Sequence, residues 1–160
     1  KGDNFSVQGT YAKGAMDYVG AGLGTYTTSN NGTSIAYANT YDAVGSGTDL
    51  ELTTGWSVGA GMVHNWNSMG RTSLYGGYAA ISYNSAATAV INGGGGNSAD
   101  WSFAQIGSRT MWTPVKNLQL SVDVIYNHVD SAQAQTGANV TGSDVGWVAG
   151  IFRAQRNFWP

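Results

Sequence analysis

The chain has no cysteine, only two prolines and few charged residues. Without cysteine it can form neither disulfides nor thiolate metal sites. It also contains no run of about 18 apolar residues, which excludes a membrane-spanning helix. Charged residues make up 10% of the chain, compared with about 25% in ordinary soluble domains. The net charge of −2 is too small to indicate binding to nucleic acid.

In place of charge the chain has 24 glycines, many small polar residues and 12% aromatics, with an ordinary hydrophobic fraction of 42%. Residues 118–129 show how these residues are arranged. Leu118, Leu120, Val122, Val124 and Tyr126 alternate with Gln119, Ser121, Asp123 and Asn127. An alternation over about ten residues fits a strand that crosses a bilayer with one face toward lipid. A half-buried strand of a soluble protein has the same pattern, so the inference depends on its recurrence.

Similar patterns predict strands at residues 4–11, 18–27, 34–41, 50–66, 71–84, 100–112, 118–129 and 144–158. The connections alternate in length toward the C-terminus. Residues 67–70 and 113–117 are short, whereas residues 85–99 and 130–143 are long and almost free of charge. Outer-membrane barrels have short periplasmic turns and longer loops on the opposite side. The sequence therefore predicts an all-β protein, a transmembrane antiparallel β-barrel with about eight strands in this chain.

The alternation also predicts which face each side chain takes. The predicted pore-lining residues are Arg109, Asp123, Arg153, Gln105, Gln119, Ser121, Asn127 and Gln155. The predicted aromatic girdle consists of Trp56, Trp66, Tyr75, Tyr83, Trp112, Tyr126 and Phe158. Tyr75 and Tyr83 would lie about 25 Å apart along one strand, which is the separation expected of two girdles.

Arg109, Asp123 and Arg153 lie on three consecutive predicted strands, each on the polar face. An arginine on the lipid face costs about 2–4 kcal/mol at the midplane, so these charges must face water or one another. They could brace the wall as salt bridges, or provide a field that acts on passing ions. The two roles are compatible.

Two C-terminal motifs resemble the closing strands of alphaproteobacterial general porins: IGSRTMWTPV at residues 106–115 and GIFRAQRNFWP at residues 150–160. Further matches are KGD (1–3), YAKGA (11–15), TGWSV (54–58) and RTSLYGGY (71–78). The resemblance implies a 16-stranded homotrimer in the lipid of the cell outer membrane, which passes ions and small hydrophilic solutes by diffusion. Porins of this kind are longer, so we expect residues 1–160 to be the C-terminal part of a single porin domain. The family's inward-folded constriction loop is then expected in the preceding part.

The sequence predicts no catalytic, metal or cofactor site. His64 and His128 lie in separate predicted strands, and residues 93–96 form a glycine run without the lysine of a phosphate-binding loop. Two alternatives stay open. The first is a complete eight-stranded barrel serving as an anchor or adhesin, although Gly59, Gly61, Gly107 and Ser121 would leave holes in its side-chain-filled interior. The second is a soluble carbohydrate-binding sandwich, in which tryptophan and tyrosine would stack on sugars.

Overall fold

A computed structural model describes residues 2–20, 24–30, 33–93, 98–131 and 144–158. The first strands are β1 (Asn4–Lys13), β2 (Gly24–Asn30), β3 (Thr33–Thr40), β4 (Ala43–Ser46) and β5 (Asp49–Leu52). The later strands are β6 (Thr54–Asn65), β7 (Gly70–Ser82), β8 (Trp101–Val115), β9 (Leu118–Ser131) and β10 (Asp144–Arg156). A 3₁₀ helix spans Met16–Val19, and helix α1 spans Ser85–Ile91. None of the described helices is long and apolar enough to cross a membrane.

Six strands form one antiparallel sheet in the order β1-β6-β7-β8-β9-β10. The prediction of antiparallel β-structure is confirmed, but the prediction of about eight strands in one wall is wrong for the described residues. Lys13 at the end of β1 pairs with Thr54 at the start of β6, so residues 14–53 form one long connection between neighbouring strands. Its hairpins β2–β3 and β4–β5 make separate two-stranded sheets.

Two predicted strands were placed wrongly for local reasons. The segment predicted as a strand at residues 18–27 begins inside the 3₁₀ helix, which ends at Gly20 with a φ of 79°. Only its last part enters β2. The predicted strand at residues 50–66 is split at Thr53, whose backbone N–H donates to the carbonyl of Asp42 at 3.0 Å instead of to a neighbouring strand of the sheet.

The connections are sorted by length, as predicted. Two short turns join β6 to β7 and β8 to β9, since Asn65 pairs with Arg71 and Val115 with Leu118. The Asn67 side chain closes the first turn by accepting from the backbone N–H of two residues at 2.8 Å. We call this end of the sheet the turn end. The connections 14–53 and 83–100 lie at the other end, which we call the loop end. Most of the predicted long loop 130–143 lies outside the described residues.

The buried core lies at the loop end. It consists of nine buried apolar residues: Met16, Val19, Val44, Ala79, Ile81, Tyr83, Ala87, Ala99 and Trp101. Met16 and Ile81 are 0% and 1% exposed. The core therefore joins the 3₁₀ helix, β4 and α1 to one face of the sheet. Burial of these apolar side chains holds the long connection against that face.

Candidate pore wall

The pairing register divides the sheet into two chemically different faces. Trp56 pairs with Ala80, and the same parity continues across the sheet to Ile106, Val122 and Phe152. We call this the apolar face. Its large side chains are exposed: Phe152 is 70% exposed and Ile106 is 65% exposed. An apolar surface of this extent marks contact with lipid or with another protein.

Aromatic residues lie near both ends of the apolar face. Trp56 packs against Tyr78 with ring centroids 5.3 Å apart. Trp66 follows the same strand ten positions later, and its indole N–H donates to Thr72 at 2.9 Å. Ten residues of strand cover about 33 Å, or about 25 Å after a barrel tilt near 40°. That distance equals the usual height of a lipid-facing band. Trp112 and Tyr126 share this face, and Phe158, which is 85% exposed, follows the end of β10.

The prediction that Tyr75 and Tyr83 belong to this girdle is wrong. Tyr75 pairs with Gly61 and Gly107, which puts it on the opposite face from Trp56. Tyr83 is 8% exposed and belongs to the buried core. The error arose because β7 carries apolar residues at both parities, so only its register with β6 shows which parity faces outward. Tyr78, which the sequence reasoning missed, is the aromatic residue of β7 on the apolar face.

All eight predicted pore-lining residues lie on the other face, which we call the polar face. Its cross-strand rows follow from the register. Nearest the loop end is the buried core, with Ile81 beside Trp101. A neutral row follows, made of Gln8, Gly59, Gly77, Gln105, Asn127 and Trp147. Two rows with charged residues lie closer to the turn end, and beyond them Gln119 pairs with Gln155.

The ion pair of the polar face joins Arg109 to Asp123. The Nε and Nη2 atoms of Arg109 both lie 2.6 Å from Oδ2 of Asp123. Asp123 is 4% exposed, whereas the arginine side chain is 47% exposed. The hydroxyl of Tyr75 donates to the other carboxylate oxygen at 3.4 Å. Asp123 is thus covered by its partners, and the exposed part of the pair is the guanidinium.

Arg153 does not complete a chain of alternating charges with this pair. It stands opposite Ser121, one row away from Asp123, and its guanidinium donates to the amide of Gln155. A third arginine, Arg71, lies in the same row as Arg153 and donates from Nε to the sulfur of Met111 at 3.3 Å. The sequence reasoning missed Arg71 because it lies at the start of β7, where apolar residues occur at both parities. Three arginines and one covered aspartate therefore make this part of the face electropositive.

The long connection between β1 and β6 lies against the polar face. Gly55 of this face is so close to it that an added Cβ would be 2.9 Å from both the sulfur of Met16 and Cδ1 of Ile81. The backbone N–H of Met16 donates to Asp42 at 2.6 Å, which ties two parts of the connection together. Farther along, Cα atoms of β3 come within 8 Å of β9 and β10. We call residues 14–53 the inward-folded connection. The expectation that the family's constriction loop lies in the part that precedes this chain stays a prediction.

Residues 1–150 match the family model described as the porin subfamily. The chain belongs to the porin family. This finding confirms the predicted family, and with it a porin-type outer-membrane channel in general. The narrower resemblance to alphaproteobacterial general porins stays a prediction. Comparisons with curated proteins and with solved structures gave no match.

Hydrogen bonds to Asp3 hold the start of β1 against β6 at the turn end. Asp3 accepts from the backbone N–H of Asn65 at 3.1 Å, and its other oxygen lies 2.8 Å from Nδ1 of His64. The hydrogen bond with His64, followed by the one with Asn65, lowers the pKa of Asp3. The His64 ring also meets Trp66 edge-on, with centroids 4.3 Å apart. His64 is therefore a structural residue in this porin.

At the loop end, burial in the core raises the pKa of Tyr83 to about 12. Its hydroxyl oxygen accepts from the backbone N–H of Tyr41 at 3.3 Å. Within the described part of the chain, no group of three or more histidine, cysteine, aspartate or glutamate residues could hold a metal ion. The distinctive chemistry of this porin is therefore the lining of its polar face.

Proposed function

We propose that the chain contributes one wall of a water-filled channel through which ions and small hydrophilic solutes diffuse across the outer membrane. The carrying observation is the sharp difference between the two faces of the six-stranded sheet. One face exposes large apolar side chains, and the other carries amides and three arginines. The apolar face is suited to contact with hydrocarbon, and the polar face is suited to contact with water.

The neighbouring parts of the barrel follow from the same proposal. Strands β1 and β10 are the edges of the sheet in the described residues, and open edges are not tolerated in hydrocarbon. We therefore propose that further strands close the barrel, and that residues 1–160 belong to one porin domain. A homotrimer surrounded by outer-membrane lipid is part of this proposal, as is the absence of a catalytic role or cofactor.

The inward-folded connection would set the width of the channel. Residues 14–53 are anchored by the core at the loop end and reach toward β9 and β10. A segment held across the polar face narrows the space available to solutes, whereas a loop directed away from the sheet would leave it open. Selectivity would then depend on the opening that remains and on the charge of the lining.

Reconstitution in planar bilayers tests the proposal. The complete porin that contains this chain should give stepwise ion conductance that scales with the conductivity of the electrolyte. Liposomes that contain it should swell in small sugars and swell progressively less as the sugar grows. Protein inserted in the lipid that shows neither conductance nor swelling would contradict a diffusion channel and favour the anchor or adhesin.

A further inference from the structure

The neutral row of the polar face contains a cavity of about 280 Å³ that the diffusion function does not require. Its floor is the paired glycines Gly59 and Gly77. Amide side chains stand on both sides of this floor, Gln8 on β1 and Gln105 on β8. The row therefore places hydrogen-bonding groups around a gap that carries no side chain.

Aromatic rings border the same cavity along the strand direction. Tyr75 lies on the side of the turn end and Phe103 on the side of the loop end. The aromatic border extends beyond the cavity, because Trp147 lies 6.5 Å from Phe103 between ring centroids. Val19 of the inward-folded connection contributes to the lining as well. The cavity thus combines apolar ring surfaces with amides, which is the usual make-up of a small-molecule site.

The charge around the cavity restricts what it can bind. None of the described residues that line it carries a charge. Asn127, which is 6% exposed, accepts from Nε2 of Gln105 at 2.7 Å. This bond fixes the amide and leaves Oε1 of Gln105 as the atom that can accept from a ligand hydroxyl. A neutral ligand with hydroxyl groups fits this lining better than an anion or a cation does.

We propose that the cavity is a binding subsite for one neutral sugar ring. A pyranose ring has apolar C–H surfaces that can face Tyr75 and Phe103, and hydroxyls that can reach Gln8 and Gln105. The volume is at the lower limit of ordinary ligand pockets, so it suits a monosaccharide and not a longer chain. This proposal rests on the proposed channel function, because the subsite would bind a sugar transiently while the sugar diffuses through the channel.

The test uses the complete porin in planar bilayers, with D-glucose added at constant ionic strength. We expect ion conductance to fall and then saturate with glucose concentration. Gly59→Val fills the floor and should raise the half-saturating concentration by about tenfold or more, because its side chain occupies space that the sugar ring needs. Its matched control is Gly61→Val, two residues along the same face and outside the cavity. An added Cβ meets nothing closer than 3.7 Å at Gly59 and 3.6 Å at Gly61, so both variants should fold.

Gln8→Leu gives a second variant at an exposed position and should raise the half-saturating glucose concentration by about fivefold, the effect of one hydrogen bond. Inorganic phosphate should show no saturation that depends on Gly59. Normal conductance that falls with glucose only as viscosity rises would overturn the subsite and leave the channel intact. Equal effects of the two valine variants would also overturn it. If no conductance forms at all, the channel proposal fails, and equilibrium dialysis of labelled glucose against the refolded wild type and Gly59→Val decides the subsite.

Discussion

Introducing an arginine on each face of the sheet tests which face meets lipid. Val122 is 50% exposed on the apolar face, and Ile151 is 51% exposed on the polar face. Both are β-branched, and they lie on adjacent strands one row apart, since Ile151 pairs with Asp123. They are therefore matched in size, exposure and position along the sheet, and they differ in the face they occupy.

The expected difference follows from the solvent on each side. Val122→Arg places a guanidinium in hydrocarbon and should reduce the free energy of unfolding by about 2–4 kcal/mol. Ile151→Arg places the same group in water, where interactions between exposed charges change stability by about 1 kcal/mol or less. Ser121, the residue next to Val122, is a poorer control, since it is 9% exposed and stands opposite Arg153.

The assay is reversible urea unfolding of the complete porin in bilayers of uncharged lipid. A difference of about 2–4 kcal/mol corresponds to a change of about 30- to 900-fold in the unfolding equilibrium constant. Repeating the titration in a lipid with shorter chains should reduce the cost of Val122→Arg only. Equal losses from the two substitutions would refute the assignment of faces.

Three further substitutions test the polar face and the turn end. Asp123→Asn removes the acid that neutralises Arg109, so reversal potentials in a salt gradient should shift toward anions, most strongly at low salt, where the Debye length is about 30 Å at 0.01 M. Gly107→Ala should reduce stability by about 1–3 kcal/mol in urea titrations, because the new Cβ would be 2.6 Å from Cζ of Tyr75. Asp3→Asn should flatten the acid limb of the stability curve, because a lowered folded pKa stabilises the porin above the unfolded value of 3.8 and loses this effect as pH falls through the folded pKa.

Each of these three predictions can be contradicted. For Asp123→Asn, an unchanged reversal potential together with a lower melting temperature would make Asp123 a structural brace with no part in selectivity. Gly150→Ala should be nearly neutral, since its added Cβ meets only a backbone oxygen at 3.9 Å, and a loss as large as that of Gly107→Ala would argue against the tyrosine clash. Asp17→Asn provides the comparison for Asp3. If both leave the acid limb unchanged, the link between Asp3 and His64 does not stabilise the fold.

The sequence predicts the faces of β9 best, because polar and apolar residues alternate over most of its length, and shorter alternating stretches around Gln105 and Gln155 do the same for β8 and β10. The structure accordingly puts Gln105, Asp123 and Gln155 on one face. The sequence-based prediction fails at Tyr75, because the face of a β7 residue depends on how β7 pairs with β6. Leu74 and Tyr78 on one parity are as apolar as Tyr75 and Ile81 on the other, so the choice is made by the pairing with β6. A register is a non-local property, and a slip of one residue exchanges the two faces.

The number of wall strands was overestimated for a related reason. The segments 24–30 and 33–40 have strand-forming sequences and do form strands, but these strands pair with each other and not with the six-stranded sheet. Local propensity is satisfied by either arrangement. The deciding contact is the pairing of Lys13 with Thr54. It makes β1 and β6 neighbours in the sheet, so the strands between them in the chain cannot be inserted there. Nothing in the sequence between these two residues indicates that they are neighbours.

The inward-folded connection also determines which part of the polar face can act on a solute. Its apolar residues need an apolar surface to pack against, and Ile81 and Trp101 supply that surface at the loop end. This end of the face is therefore used for folding and is withdrawn from water. The amides and the arginines of the following rows remain accessible, with Arg109 nearly half exposed. In the proposed channel, neutral solutes would thus interact mainly with the amide row and anions with the arginine rows, so substitutions in the two rows should change different permeabilities.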